Sequence, residues 1–342
     1  MRTPSALAVS ALALTLTAGP LAAETVLRYS QWLPPTHQLR VNVIDPYLER
    51  WAEVTDGAVR VEATPAIVGT LPGQFDAALD GIVDIVFILN GVTPGRLDLQ
   101  QVGELPFLGN SAEATSVAYW RTYQEHLSRY GEFDGVVPLA VFTHGPGAIY
   151  LNSGIMTSLD DVRGKRLRVG SEAVGRAVSA LGAVPVQTPL NEIYEVLSTG
   201  VVDGVLMNLE AAQSFNLIDV LPDASQIPGG IYNLTMSILI NEDSWNALAP
   251  EHQEAIMAIS GEPLVRELGR WQDLNDQAGI AALEAAGRTV APIPDELAAR
   301  MQAELAPVFG AWFDRAREKG VGDPEAILEA FRAHVADIEA DM

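Results

Sequence analysis

The run Gly164-Lys165-Arg166-Leu167-Arg168-Val169 concentrates cationic chemistry in an otherwise acidic chain. Four of the 21 Lys and Arg residues fall between positions 163 and 168, against 44 Asp and Glu and a formal net charge of -23. Successive side chains on a strand point to opposite faces, so Arg166 and Arg168 share one face and Leu167 and Val169 the other. Arg168 falls at the carboxyl end of that strand. A guanidinium there can hold a carboxylate through two parallel hydrogen bonds. Burying it without an anion is costly, so a ligand or one of the chain's own acids must meet it. Two readings stay open: an anchor for an anionic ligand, or a solvated strand whose Arg168 pairs with a nearby Asp or Glu.

Other reactive constellations are missing. His37, His126, His144, His252 and His334 are scattered without metal-ligand spacing. Cysteine is absent, which excludes disulfides, thiolate zinc sites, iron–sulfur clusters and a cysteine nucleophile. There is no nucleophile elbow, phosphate loop or dinucleotide fingerprint, and Gly145-Pro146-Gly147 reads as a turn because proline removes a donor. The expectation is a chain that is not an enzyme, with no metal and no cofactor. No basic run is long enough to track phosphates, so nucleic acid and anionic membranes are poor partners. The charge suits a solvated monomer.

The elements that must position Arg168 alternate. Val26–Ser30 reads as a strand, 39–55 as a helix kinked or restarted at Asp45-Pro46, Ala58–Ala63 as a strand and Gly73–Leu79 as a short helix. Val83–Leu89 is a nearly continuous apolar run, as in a strand buried on both faces. The pattern recurs: strand Arg166–Val169, a helix capped by Ser171, strand Val184–Gln187, a helical stripe through Leu190, Ile193, Tyr194 and Leu197, and an apolar strand over Val201–Met207. Each block enters its last strand through a matching step, Gly81-Ile82-Val83-Asp84 and Gly200-Val201-Val202-Asp203. Two β-α-β-α-β blocks predict two lobes, each a mostly parallel sheet flanked by helices. Ligands gather beyond the carboxyl ends of such strands. Residues Pro250 to about Ala286 form one long helical pattern, weakly interrupted at Pro263 and Gly269, that suits a helix bridging the lobes. Pro294–Glu318 and Pro324 to about Glu339 are helical as well.

Strand ends supply further candidates. Trp32 and His37 follow the first strand, Gln74 opens a short helix, Asn90 follows Val83–Leu89, and Tyr232 and Asn233 precede Leu234–Ile240. Trp32, Phe87 and Tyr232 can pack on an apolar ligand body or simply in the core. At the N-terminus, Met1-Arg2, the apolar stretch Ala6–Leu16, Gly19-Pro20 and Leu21-Ala22-Ala23 follow the order of a secretory signal peptide cleaved before Glu24. That predicts export to the periplasm of a soluble mature chain.

Leu159-Asp160-Asp161-Val162-Arg163-Gly164-Lys165-Arg166-Leu167-Arg168-Val169 resembles a signature of the tripartite ATP-independent periplasmic (TRAP) transporter solute-binding proteins. So do Leu181-Gly182-Ala183-Val184-Pro185-Val186, Glu192–Leu197 with Gly200-Val201-Val202-Asp203-Gly204, and, nearer the N-terminus, Pro34-Pro35-Thr36-His37 and Glu104-Leu105-Pro106-Phe107. The resemblance covers essentially the whole mature chain. It implies a two-lobed periplasmic binding protein fold with a long helix between the lobes. Lobe I takes 24–147 plus about 232–272; lobe II takes 148–231 plus about 273–342 with the C-terminal helices. It places the ligand-carboxylate arginine on Arg168 and a second polar contact near Met207 and Asn208, with Met207 at the ungapped position. Two features of some members are missing. A further arginine of some members would fall near Ala148, and Val205-Leu206 stand where metal-assisted members carry Trp-Glu. The function implied is capture of a small organic carboxylate and delivery to TRAP membrane subunits. The rival readings are the binding protein of an ATP-driven importer and a periplasmic organic-acid enzyme.

Overall fold

Both alternating blocks close into sheets in the structure, a computed structural model that describes residues 24–93 and 95–342. The leader expected over residues 1–23 lies outside the described residues. The first lobe takes β1 (Thr25–Ser30), β2 (Val59–Ala63), β3 (Ile85–Leu89) and β4 (Val136–Thr143). The second takes β5 (Ala148–Leu151), β6 (Arg166–Val169), β7 (Val184–Gln187), β8 (Gly204–Met207) and β9 (Asp223–Gln226). The chain then returns to the first lobe as β10 (Thr235–Asn241) and to the second as β11 (Val290–Pro292). The sheet orders are β2-β1-β3-β10-β4 and β11-β9-β5-β8-β6-β7. In each sheet the block strands pair in parallel. One strand in each, β10 and β5, arrives directly from the other lobe and runs antiparallel to its neighbours.

The repeated Gly-x-Val-Asp step has one physical role in both lobes. Gly81 and Gly200 take φ of 66° and 71°, the left-handed turn that ends a helix without a Cβ penalty. The aspartate three residues on accepts a backbone N–H from the neighbouring parallel strand. Arg28 N donates to Asp84 Oδ2 at 2.7 Å, and Arg166 N donates to Asp203 Oδ2 at 2.8 Å. The strands β3 and β8 that follow are almost wholly buried, which is why their sequences are continuous apolar runs rather than alternating ones.

Among the described residues four connections join the lobes, the last of them in the C-terminal helices. Segments 144–147 and 229–234 run against each other, with Gly147 N donating to Tyr232 O at 2.8 Å and Ile231 N to Gly147 O at 3.1 Å. A Cβ on Gly147 would lie 2.3 Å from the Tyr232 ring, so only glycine fits this crossing. The third connection is the expected long helix. It is two helices, Pro250–Ala258 and Gly261–Ala285, broken at Ile259–Ser260 rather than at Pro263 or Gly269. Pro263 sits in the first turn, where a missing N–H leaves no bond unmade. Gly269 is a packing point: a Cβ there would be 2.5 Å from Glu113 Cα. Gly279 does the same against the Leu209 carbonyl, at 2.2 Å. The first half of this helix therefore lies on the first lobe and the second half on the second lobe.

The C-terminal region departs from the expected division. Pro294–Glu318 is two helices, Asp295–Glu304 and Ala306–Glu318, meeting at Leu305. Trp312, Phe331, Val335 and Ile338 join the first lobe's core, and helix Pro324–Ala340 packs on Ala112–Thr122. Residues grouped with lobe II thus cross back to lobe I. An amphipathic stripe shows that a helix is half-buried, not which surface covers it.

Candidate functional site

The carboxyl ends of β6, β7 and β8 face a cavity of about 800 Å³. Residues of both lobes line it, including Trp32, Phe87 and Met236 from the first and Arg168, Thr188 and Asn208 from the second. Its size falls within the range of small-molecule sites, roughly 300–1,000 Å³. The placement follows from the parallel strands: their side chains and following loops open at one edge of the sheet.

Arg168 is 4% exposed. Its Nε and Nη2 both donate to the Thr188 carbonyl, at 3.0 and 2.6 Å. That backbone oxygen fixes the plane of the guanidinium and leaves Nη1 without a protein partner among the described residues. No carboxylate lies within ion-pair distance of Arg168 among the described residues, whereas Arg166, two positions earlier, is exposed and paired with Asp203 at 3.2 Å. Burial lowers the Arg168 pKa to about 10, partly offset by the nearby Tyr232. The group therefore stays cationic at neutral pH, a buried charge whose remaining donors face the cavity.

Around it, Met207 and Asn208 follow one another at the end of β8, both buried and both lining the cavity. Tyr232 lines it too and meets His144 edge-on, with ring centroids 5.2 Å apart. On the first lobe, Trp32 stacks on Phe87 at 5.3 Å, and Phe87 on Phe142 at 5.9 Å. Trp32 Nε1 donates to the Phe87 carbonyl at 2.8 Å, which locks the indole against the strand. His37 is buried rather than a surface loop residue. Its Nδ1 accepts from Leu39 N at 3.3 Å, so the neutral ring carries its proton on Nε2. Burial lowers its pKa to about 4, so it is a neutral donor at the cavity wall.

Three candidates lie elsewhere. Asn90 is spent within the core: its Nδ2 donates to the Tyr119 hydroxyl at 3.1 Å, and its Oδ1 accepts from Ser237 at 2.9 Å. Gln74 Nε2 ties down the preceding loop through Val68 O and Thr70 O, at 2.6 and 3.1 Å. Asn233 is fully buried beside the lobe crossing, and neither end of its amide finds a partner among the described residues. None of the three lines the cavity. A strand-end rule locates the loop but not the direction of each side chain within it.

Sequence reasoning missed His144, Glu104, Glu210, Phe215 and Gln272, all on the cavity wall. His144 was findable, since it follows β4 directly. Its Nε2 accepts from Leu234 N at 3.0 Å and burial lowers its pKa to about 4, so it is neutral. Glu104 opens the Glu-Leu-Pro-Phe motif. It is buried, Thr235 Oγ1 donates to its Oε1 at 2.8 Å, and desolvation raises its pKa to about 7. Phe215 and Gln272 carry no local signal; tertiary packing brings them in. Among the described residues no group of three or more His, Cys, Asp or Glu could hold a metal ion.

A family model, DctP, described as bacterial extracellular solute-binding protein, family 7, matches residues 30–315. A solved TRAP periplasmic solute-binding protein from Bordetella bronchiseptica, with bound (R)- and (S)-mandelate, is 35% identical to this chain. The match covers 92% of this chain and 99% of that one, with a TM-score of 0.86. A TRAP solute-binding protein from Rhodoferax ferrireducens, in complex with copurified benzoate, is 30% identical, covering 92% and 98% with a TM-score of 0.84. Among curated proteins, the outer membrane transporter protein TsaT of Comamonas testosteroni is 27% identical over 331 residues, 96% of this chain and 97% of that one.

Proposed function

This chain belongs to the bacterial extracellular solute-binding proteins of family 7, the periplasmic receptors of TRAP transporters, and from that premise we propose that it captures a small aromatic carboxylic acid between its lobes and presents it to TRAP membrane subunits. The observation that carries this reading is Arg168: a buried cation, oriented by a backbone carbonyl and without a carboxylate partner among the described residues, on the same cavity as the Trp32–Phe87 stack. A carboxylate on its free donors would recover the desolvation cost of the charge. The ring of the acid would lie among the aromatic and aliphatic side chains of the first lobe. His37 Nε2–H and the Asn208 amide, both on the cavity wall, would supply donors to a hydroxyl or the second carboxylate oxygen. The named ligands of two similar structures, mandelate and benzoate, are aromatic acids and support the same class.

Such a ligand touches both lobes only when they are together, so its binding energy favours the closed form. The segments that cross between the lobes would act as the hinge. The closed shape is what the membrane partner would read. The leader of residues 1–23 would deliver the chain to the periplasm. No described helix is long and apolar enough to cross a membrane, and neither described sheet closes on itself.

A thermal-shift series tests the reading. Benzoate and mandelate are expected to raise the melting temperature at concentrations where acetate and benzyl alcohol do not. Occupancy at a hundred times Kd stabilises by about 2.7 kcal/mol. Equal shifts from benzyl alcohol and benzoate would remove the carboxylate anchor. Recovery of the acid unchanged after incubation separates binding from turnover.

A further inference from the structure

A second cationic corner opens on the same cavity. Arg176 lies on helix Glu172–Ala180 of the second lobe, and Arg315 on helix Ala306–Glu318. Their Nη2 atoms donate to one oxygen, Gln101 Oε1, at 3.3 and 3.0 Å. A neutral amide thus holds two like charges that repel each other. Desolvation and the neighbouring Arg176 together lower the Arg315 pKa below the usual guanidinium range.

The protein's own acids offset this corner only in part: Asp98, Glu172 and Glu104 are felt at Arg315, but among the described residues none forms an ion pair with it. Arg176 pairs with Glu172, one turn back, whose side chain is 79% exposed. Glu104 reaches the corner, but its Oε1 is bound to Thr235 and its Oε2 is buried without a partner. Its carboxyl lies beyond ion-pair distance of both arginines, although their charge is felt there. Meanwhile Arg176 Nε, Arg315 Nε and Trp312 Nε1 are all buried with no hydrogen-bond acceptor among the described residues. Buried donors are normally satisfied, and a group of three left over calls for an acceptor. These side chains line a recess of about 10 Å³, room for about one oxygen atom. Arg176 and Arg315 also line the 800 Å³ cavity with Arg168, and that cavity is far larger than one benzoate ring needs.

We propose that Arg176, Arg315 and Trp312 form a second anion subsite, and that the ligand is an aromatic dianion with one carboxylate on Arg168 and a second acidic oxygen group at this corner. The proposal rests on the reading that Arg168 takes the first carboxylate. The ligand would then reach from the β6 end to the C-terminal helix, tying together elements of both lobes.

Isothermal titration of the purified protein with benzoate, phthalate, isophthalate and terephthalate varies the position of the second carboxylate. At least one of the three dianions is expected to bind about ten- to a hundredfold tighter than benzoate, the worth of charge-assisted hydrogen bonds. Arg176→Gln and Arg315→Gln are each expected to bring that ratio close to one. The wild-type ratio decides the matter even where a variant fails to fold. If benzoate binds, Arg168→Met abolishes it, and no dianion binds tighter, the second subsite is overturned and the carboxylate anchor stands. A ratio that survives in both glutamine variants overturns it equally. If neither benzoate nor any dianion binds, the anchor and the subsite fall together.

Discussion

The two lobes are alike at one end and different at the other. Away from the cavity, each turns through a left-handed glycine and clamps a neighbouring strand with an aspartate, Asp84 on Arg28 N and Asp203 on Arg166 N. At the cavity the walls diverge. The first lobe offers the stacked rings of Trp32 and Phe87, backed in the core by Phe142, and the second offers Arg168 held by the Thr188 carbonyl. The lesson is that sheet-building steps repeat because parallel pairing imposes the same hydrogen-bond problem twice. The cavity walls are free to differ, because nothing in the backbone prescribes what fills the space between them.

Three measurements can break or sharpen that contrast. The largest effect is expected from Phe87→Ala, which removes the middle ring of the first-lobe stack. It should cost about 3–5 kcal/mol of unfolding free energy in urea, because Phe87 is core as well as wall. A loss of affinity with unchanged stability would mean that the first lobe's wall is a separate ligand platform, not an extension of its core. Next comes Arg168→Lys. A point charge cannot reproduce both the fork on Thr188 and a bidentate grip on a carboxylate, so the affinity for benzoate should fall about a hundredfold, as for one partner of a buried charge pair. The matched control, Arg166→Lys on the same strand, should leave affinity unchanged, since its side chain is exposed and paired with Asp203. Equal losses from the two would erase the distinction between the strand's buried and exposed arginines. The smallest effect is expected at the shared end. Asp84→Asn and Asp203→Asn each weaken the charge-assisted bond to a backbone N–H together with an ion pair to the same arginine's exposed side chain; the exposed pairs add little, so each should cost about 1 kcal/mol. A several-fold difference between the two costs would show that the step is repeated in sequence but not in energetics.

Much of this architecture was legible in advance, and the particular residues show why. Asp84 and Asp203 act within a few residues of their glycines, so the motif contains its own explanation. Arg168 was legible because strand alternation and the carboxyl-end rule both act locally. Asn90, named by the same rule, and Gln74, named at a helix start, turn away: Tyr119 and Ser237 take up the Asn90 amide, and Val68 and Thr70 take up the Gln74 Nε2. Phe215 and Gln272 were invisible, because only the bridging helix and the loop after β8 bring them to the wall. The break at Ile259–Ser260 was misplaced for a similar reason. Proline in a first turn and glycine at a packing point look like interruptions until their neighbours are known.

By itself the sequence determined the alternation of strands and helices, the duplicated glycine–aspartate step and the strand that carries Arg168. These depend on backbone geometry and on periodicities of two and 3.6 residues, which are local properties. Tertiary structure alone decided that Arg168 meets no carboxylate among the described residues, that Arg176 and Arg315 share one amide oxygen, and that the C-terminal helices return to the first lobe. Those outcomes depend on which surfaces meet across hundreds of residues of chain, and a helix or strand pattern carries no record of its partner.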